Sequence, residues 1–381
     1  MTLASERLRE ELRAREPRGG EMRIVRAPGR VNLIGEHTDY NAGMVLPCAI
    51  DLEIVIAFVR TDDDQVRLSR LDTGESSTFD LSAIGRPTGE WIDYVAGTAW
   101  SLGVAGAEVR GLRGVIATTL PISAGLSSSA ALEIAAAWAL CPTPPPPVEL
   151  AQIAQRVEND YLGLQSGLMD QLAVTLGRRD CALLIDCRSL EWRPVALPLE
   201  RYAIVVCDSG VWRRLEDSRY NERRAECEAV AAALDLDSLR DATPAMLAPL
   251  RGRFDPVALR RAEHVVAENQ RVLDCAAALE RGDIEAVGRL FAASQASLRD
   301  LFEVSSPELE ALVEIATGCD GVVAARLTGA GFGGCTVNLV ERGARSAFAD
   351  TILRKYKART GLSGRVFEVE PADAAGPVEG G

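Results

Sequence analysis

Apolar residues along this chain fall into two rhythms. Blocks dense in Val, Ile and Leu, namely IDLEIVIAFVR (50–60), GLRGVIATTL (111–120), CALLID (181–186) and RYAIVVCDSG (201–210), predict strands. DDDQVRL and STFDLS add strand and turn material between the first two. Helical spacing takes over in VELAQIAQRVENDYLGL (148–164), where Leu150, Ile153, Val157 and Tyr161 share a face. SGLMDQLAVTLG (166–177) predicts another helix, opened near Gly167 and closed at Gly177. From about residue 216 helices dominate, until GVVAARLTGAGFGGCTVNLV (321–340) reads as strand, glycine turn, strand. Strands and helices mix without strict alternation, which predicts an α+β protein in two lobes. The stretch between the strands at 181–186 and 201–210 is the expected junction, giving domains 1–195 and 196–381. CPTPPPP (141–147) reads as a stiff surface linker, with a proline-motif docking site as the other reading.

Composition narrows the function classes. With 381 residues, 47% of them apolar, the chain supports sizeable cores. It holds no run of about 18 apolar residues, and its charged N-terminus is unlike a signal peptide, so a cytoplasmic protein is expected. A net charge of −13 opposes non-specific binding to nucleic acid or an anionic membrane. Nine cysteines without a CxxC pair read as reduced, mostly buried thiols. Of 42 basic residues only Lys355 and Lys357 are lysines, and no Walker-type phosphate loop occurs. Zinc-finger and HExxH patterns are also absent. The histidines are His37 and His264, the latter inside the long helix expected at 258–280, where a packing or surface role is expected.

Four segments carry candidate chemistry. In GRVNLIGEHTDYNAGMVLPCAI (29–50), Arg30, Glu36, His37 and Asp39 sit among helix-breaking Gly35, Asn41 and Gly43, between apolar flanks that read as anchoring strands. A cation, two carboxylates and an imidazole on one rigid loop suit a polyhydroxylated ligand and its phosphate, although a solvated hairpin is the plainer reading. PISAGLSSSAALE (121–133) sets small residues and serines before an alanine-rich helix, which exposes backbone N–H groups and a helix N-terminus to phosphate. Asp170 is expected in the first turn of its helix, where an ionised carboxylate can orient an attacking hydroxyl or accept its proton. Glu158, on the preceding helix, suits an oxygen-ligated Mg²⁺. LTGAGFGGC (327–335) is either a glycine hairpin or a place where backbone approaches a ligand.

Together these segments resemble the GHMP family of small-molecule kinases, and within it the galactokinase branch. The likeness extends through WIDYVAGT, ENDYLGLQSGLMDQLAVTLG, ALLIDCRSLEW, LEDSRYNERRAEC and SQASLRDLFEVSSPELEALVEIA, covering about 24–370. It implies a two-lobed fold with the active site in the cleft between the lobes. The implied reaction moves the γ-phosphoryl of ATP to the C1 hydroxyl of α-D-galactose, with Mg²⁺ as cofactor and a monomer as the expected state.

Carried across by position, Asp170 matches the catalytic aspartate and Arg30 the arginine that acts on it and stabilises transferring charge. Glu36, His37, Thr38 and Asp39 match sugar-binding residues, with Gly167 and Tyr220 closing the pocket. The loop of Ser123, Ala124, Gly125, Leu126, Ser127, Ser128 and Ser129 matches the nucleotide site, and Ser129 with Glu158 the Mg²⁺ ligands. Ser123 and Ala330 stand where the family usually has glycine, and Trp212 where smaller or polar residues are usual. A kinase for a related sugar such as arabinose or N-acetylgalactosamine, and a non-catalytic sensor of galactose and ATP, are the alternatives.

Overall fold

The computed structural model describes residues 3–15, 20–121, 124–211 and 219–378. In chain order, α1 (Leu3–Arg15) precedes β1 (Met22–Asn32), β2 (Met44–Val45), β3 (Pro47–Arg60), β4 (Gln65–Arg70) and β5 (Ser76–Asp80). Then come α2 (Ile92–Val104), β6 (Leu112–Thr118), α3 (Ser128–Leu140), α4 (Pro147–Arg156), α5 (Met169–Leu176), β7 (Cys181–Asp186) and β8 (Trp192–Ala196). The second half runs β9 (Tyr202–Asp208), α6 (Tyr220–Ala233), α7 (Pro244–Leu247), α8 (Pro256–Glu280), α9 (Ile284–Asp300) and α10 (Pro307–Thr317). It ends with β10 (Val322–Thr328), β11 (Cys335–Glu341), α11 (Arg345–Thr360), β12 (Arg365–Val369) and β13 (Gly376–Pro377).

The strands form sheets in the orders β13-β1-β3-β6-β4-β5, β2-β7-β8 and β10-β11-β9-β12. β13 carries the chain back to the first sheet, with Pro377 opposite Val25. The apolar core also ignores the halfway point: Leu33 and Leu46 belong to one cluster with Val272, Phe291 and Val337. The two halves are therefore welded by shared apolar burial rather than joined by a linker. Among the described residues no helix is long and apolar enough to cross a membrane, and the nine cysteines are free thiols, six of them buried.

Three local features aim residues at the cleft. β1 and β3 pair antiparallel from Met22 opposite Val59 to Asn32 opposite Pro47, with a register shift between Pro28 and Gly29. Pro28 has no N–H for the ladder, and such a shift bends the strand and re-aims the residues after it, here Arg30. Gly29 is required by space, since a Cβ would stand 2.3 Å from Leu120 Cδ2 and 2.7 Å from the Leu126 carbonyl oxygen. The second feature is α3, buried around nearly its whole girth by small residues such as Ala130, Ala131 and Ala135, which lets β1, β3, α2 and α5 pack closely around it.

The third feature corrects a sequence expectation. The single helix expected over 148–164 is α4 followed by a π-helical turn at Val157–Tyr161, closed by the Leu162 N–H on the Val157 carbonyl at 2.9 Å. α2 crosses so closely at Gly97 that a Cβ there would lie 2.6 Å from Val157 Cγ1 and 2.7 Å from Tyr161 Cδ1. The wider turn rotates Glu158 relative to an unbroken α-helix, a device common at functional sites. The proline run is half-exposed or exposed and its last member, Pro147, opens α4, where a missing N–H costs no hydrogen bond.

A buried charged clamp holds the turn after α9. Arg223 Nε donates to the Phe302 carbonyl at 2.8 Å, Arg261 donates to the Leu301 carbonyl, and the Glu226 carboxylate accepts from both arginines at 3.1 and 3.0 Å. This fixes Phe302, wholly buried, between the rings of His37 and His264, with each centroid 4.6 Å away. His264 is thus a packing residue. Phe302→Ala removes a buried ring with no room to collapse. It is expected to lower unfolding free energy by about 3–5 kcal/mol in urea denaturation, whereas a change under about 1 kcal/mol would show that the turn is not held as described.

Candidate active site

A cleft of about 380 Å³ opens where the loop after β1, the loop before α3, the N-terminus of α5 and the glycine turn after β10 converge. At its centre Arg30 meets Asp170 as a two-pronged pair: Nε donates to Oδ1 at 2.8 Å and Nη2 to Oδ2 at 2.7 Å. The third arm, Nη1, donates to the Gly125 carbonyl at 2.7 Å, so one guanidinium ties the aspartate to the serine loop. Ser127 adds a hydroxyl hydrogen bond to Asp170 Oδ2 at 2.6 Å. That serine sits in the left-handed region at φ +60°. Such a conformation costs about 1–2 kcal/mol outside glycine and persists where surrounding contacts over-determine it, here the bond to Asp170.

On one side of this pair lies the loop of Glu36, His37 and Asp39. His37, at φ +63°, packs against Phe302 and against Tyr220 at a 5.5 Å centroid distance. Its Nε2 lies 3.1 Å from the Ala330 carbonyl and its Nδ1 3.0 Å from the Tyr40 hydroxyl. A carbonyl only accepts, so Nε2 carries the proton and Nδ1 accepts from tyrosine. Asp39 faces Gly167, where a Cβ would stand 1.8 Å from Asp39 Oδ2, and burial, with the neighbouring Asp170 charge, pushes Asp39 up to about 6. Glu36 is pushed up to about 7 by burial, against the pull of the adjoining Arg326. Tyr220 closes this end, with its hydroxyl 3.4 Å from the Gly167 N–H.

The other side carries oxygen ligands and an apolar recess. Ser129 Oγ donates to Glu158 Oε1 at 2.9 Å, and Gln171 Nε2 donates to Glu158 Oε2 at 3.1 Å. Burial raises the pKa of Glu158, and more strongly that of Glu133, a wholly buried acid on α3 that shares the Gln171 carboxamide at 3.4 Å. Beyond them Ile54, Trp91, Ile116 and Leu132 line the recess, with the Arg70 guanidinium 6.0 Å from the Trp91 ring centroid. Among the described residues no group of three or more His, Cys, Asp or Glu forms a metal cage.

Comparison with known proteins decides what the cleft belongs to. The galactokinase galactose-binding signature matches residues 15–60, the GHMP kinase N-terminal domain 93–178 and the GHMP kinase C-terminal domain 275–358. A curated galactokinase from Roseiflexus sp. (strain RS-1) is 45% identical over 363 residues, covering 93% of each chain. This chain belongs to the galactokinase family of GHMP kinases. A crystal structure of Lactococcus lactis galactokinase complexed with galactose superposes with a TM-score of 0.93 at 34% identity, covering 99% of this chain and 100% of that one. A Methanococcus jannaschii mevalonate kinase shares the fold at a TM-score of 0.67 and 21% identity, covering 93% of this chain and 99% of that one. The family membership establishes an ATP-dependent sugar kinase of α+β architecture.

The cleft gathers Arg30, Glu36, His37, Asp39, Gly167, Asp170, Tyr220, Gly125, Ser127, Ser128, Ser129 and Glu158. Three expected residues are placed elsewhere. The Thr38 side chain does not line the cleft; wholly buried, its hydroxyl is given to the Gly35 and Met44 carbonyls at 2.8 and 2.7 Å, holding the loop closed. Ala124 and Leu126 turn their side chains into the core, and Leu126 serves through its carbonyl, which accepts from the Arg30 N–H at 3.1 Å. Ser123 and Trp212 lie outside the described residues.

Sequence reasoning missed Glu133, Gln171 and Arg326. Only Arg326 carried a visible signal, a charge inside the apolar strand VVAARLT.

Gly167→Ala tests the closest contact in this galactokinase cleft. Displacement of Asp39 is expected to raise the galactose KM at least about tenfold while leaving the ATP KM unchanged. A galactose KM within twofold of wild type would reject the contact.

Proposed function

We propose that the chain transfers the γ-phosphoryl group of MgATP to the C1 hydroxyl of α-D-galactose, giving galactose 1-phosphate and ADP, with domains 1–195 and 196–381 flanking the cleft. The observation that carries the reading is the geometry of Asp170. An ionised carboxylate offers about four acceptor positions. Arg30 meets both oxygens and Ser127 meets Oδ2, yet the Asp170 side chain is 29% exposed and lines the cleft, where a sugar hydroxyl can reach the carboxylate. Asp170 orients that hydroxyl and receives its proton, while Arg30, fixed by the Gly125 carbonyl, presents positive charge where phosphoryl charge develops. Glu36 and Asp39 hold the other hydroxyls. His37, whose ring nitrogens are engaged by Ala330 and Tyr40, walls the sugar pocket with its ring, and the galactose-binding signature at 15–60 supports galactose over related sugars.

The phosphates lie along the serine loop, whose N–H groups open α3, and the base occupies the recess beside Trp91. A hydroxyl and a carboxylate, Ser129 and Glu158, suit Mg²⁺, which keeps several waters and takes few protein ligands beside phosphate oxygens. When bound, Mg²⁺ supplies charge neutralisation to the phosphates. Among the described residues no cation pairs with Glu158, so its carboxylate is available for that ligand.

Asp170→Asn is expected to lower kcat by about 10²–10⁴-fold with ATP affinity within a few-fold of wild type. Near-normal turnover in a coupled ADP assay would reject the assignment. Across a panel of sugars galactose should give the largest kcat/KM, and a faster related sugar would overturn the preference.

Acceptance by Glu36 and Asp39 requires their ionised forms. Because both are raised, to about 7 and about 6, galactose kcat/KM should fall as pH drops from 7.5 to 5.5. A flat profile over that range would contradict their role.

A further inference from the structure

Arg326 lies on β10, in the half of the chain that supplies neither Arg30 nor the sugar loop, and it is wholly buried. Its Nη1 donates to the Leu33 carbonyl at 2.8 Å, and its Nη2 donates to Glu36 Oε2. Gly329, just beyond the same strand, gives its N–H to Glu36 Oε1 at 3.2 Å. Both oxygens of Glu36 are thus gripped from behind by the C-terminal half, while the residue lines the cleft. About two acceptor positions of the carboxylate remain for a ligand.

The surroundings make this cation decisive. α8 contributes Glu268, which accepts from the Gly35 N–H at 3.1 Å and from Ser294 Oγ at 2.5 Å, and pairs with Arg271 at 2.6 Å. Burial raises Glu268, but Arg271, Arg326 and the Ser294 hydroxyl outweigh it, holding Glu268 below the usual carboxylate range and ionised beside Glu36. His264 gives its Nε2 proton to the Glu36 carbonyl and its Nδ1 accepts from Ser297, and burial lowers it to about 4, so it is neutral. Two carboxylates therefore face two cations, and Arg326 is the cation in contact with Glu36. A buried carboxylate stripped of its partner takes up a proton rather than remain charged.

We propose that Arg326 is a positioning residue for sugar recognition, holding the Glu36 carboxylate ionised and aimed so that it accepts hydrogen bonds from sugar hydroxyls. The proposal rests on the reading of Glu36 as a galactose ligand and assigns its control to the opposite half of the chain. Arg326 itself touches no reacting atom.

The test compares Arg326→Met, Arg326→Lys, Glu36→Gln and the Glu36→Gln/Arg326→Met double variant by steady-state kinetics across pH. Arg326→Met should raise the galactose KM at least about tenfold at pH 7, with kcat within about threefold and the ATP KM unchanged. Its acid limb for galactose kcat/KM should move upward by about one pH unit or more, because the cation that favours the ionised form is gone. Arg326→Lys keeps the charge and should keep the limb near wild type, with a galactose KM between those of wild type and Arg326→Met. The double variant should show a galactose KM no higher than Glu36→Gln alone. It also tests the proposal if Arg326→Met does not fold, since it removes both charges together.

A wild-type galactose KM and pH limb in Arg326→Met would overturn the proposal, as would an increase in the double variant that adds to that of Glu36→Gln. Equal losses in kcat and both KM values with an unmoved limb would reduce Arg326 to a structural part and overturn it too. If Glu36→Gln itself leaves the galactose KM unchanged, the sugar-ligand reading fails and takes the proposal with it. A raised KM in Glu36→Gln beside a normal Arg326→Met sinks the proposal alone.

Discussion

The pairing of Arg30 with Asp170 is the interaction around which the cleft is arranged. A guanidinium fork matches a carboxylate in two parallel hydrogen bonds, and here its remaining arm reaches the Gly125 carbonyl. Three distant pieces of chain are thereby fixed in one plane of contact: the end of β1, the serine loop and the start of α5. Each piece is shaped to reach that point. The Pro28–Gly29 register shift turns β1, and Gly29 lets the serine loop come against it. Asp170 falls in the first turn of α5, where the helix dipole favours negative charge. Arg30 is buried while Asp170 borders the cleft, so removing Asp170 leaves a buried cation without its carboxylate, and the geometry of catalysis and the integrity of the lobe depend on the same contact.

The second constraint is charge balance. Glu36, Asp39, Glu133, Glu158 and Asp170 come together in a protein whose net charge is already −13. The fold settles each differently. Asp170 receives Arg30 and Glu36 receives Arg326, while burial pushes Glu133 toward its neutral acid and Glu158 is left with hydroxyl and amide donors. Asp39 has backbone partners and the space that Gly167 provides. Among the described residues, the cleft-lining carboxylates without an arginine partner are therefore Asp39, in the sugar loop, and Glu158, beside the serine loop. Both halves of the chain contribute cations to the cleft, and the core they share keeps the two contributions in register.

Much of this was legible in the sequence. The clustering of Arg30, Glu36, His37 and Asp39, the serine loop and the helix position of Asp170 came from residue type and spacing, because glycine breaks and alanine-rich helices have local causes. The features that stayed hidden depend on contacts distant in the chain. Thr38 looks like its polar neighbours, yet its hydroxyl turns inward to the Gly35 and Met44 carbonyls. Leu126 lies within the serine loop but packs in the core. The π-helical turn at Val157–Tyr161 answers the approach of α2 at Gly97, which periodicity cannot report. Arg326 and Glu268 reach the sugar loop across roughly 290 and 230 residues of chain, and nothing at either position names its partner.

Asp170, paired with Arg30 yet partly exposed to the cleft, is the group expected to meet the hydroxyl that attacks ATP. A crystal structure with galactose and a non-hydrolysable ATP analogue reads that contact directly. The expected result is a galactose C1 hydroxyl about 2.6–3.2 Å from an Asp170 carboxylate oxygen, with Arg30 still paired to the carboxylate and other sugar hydroxyls on Glu36 and Asp39. A sugar bound with its C1 hydroxyl turned away from Asp170, or an Arg30–Asp170 pair broken to admit it, would contradict it.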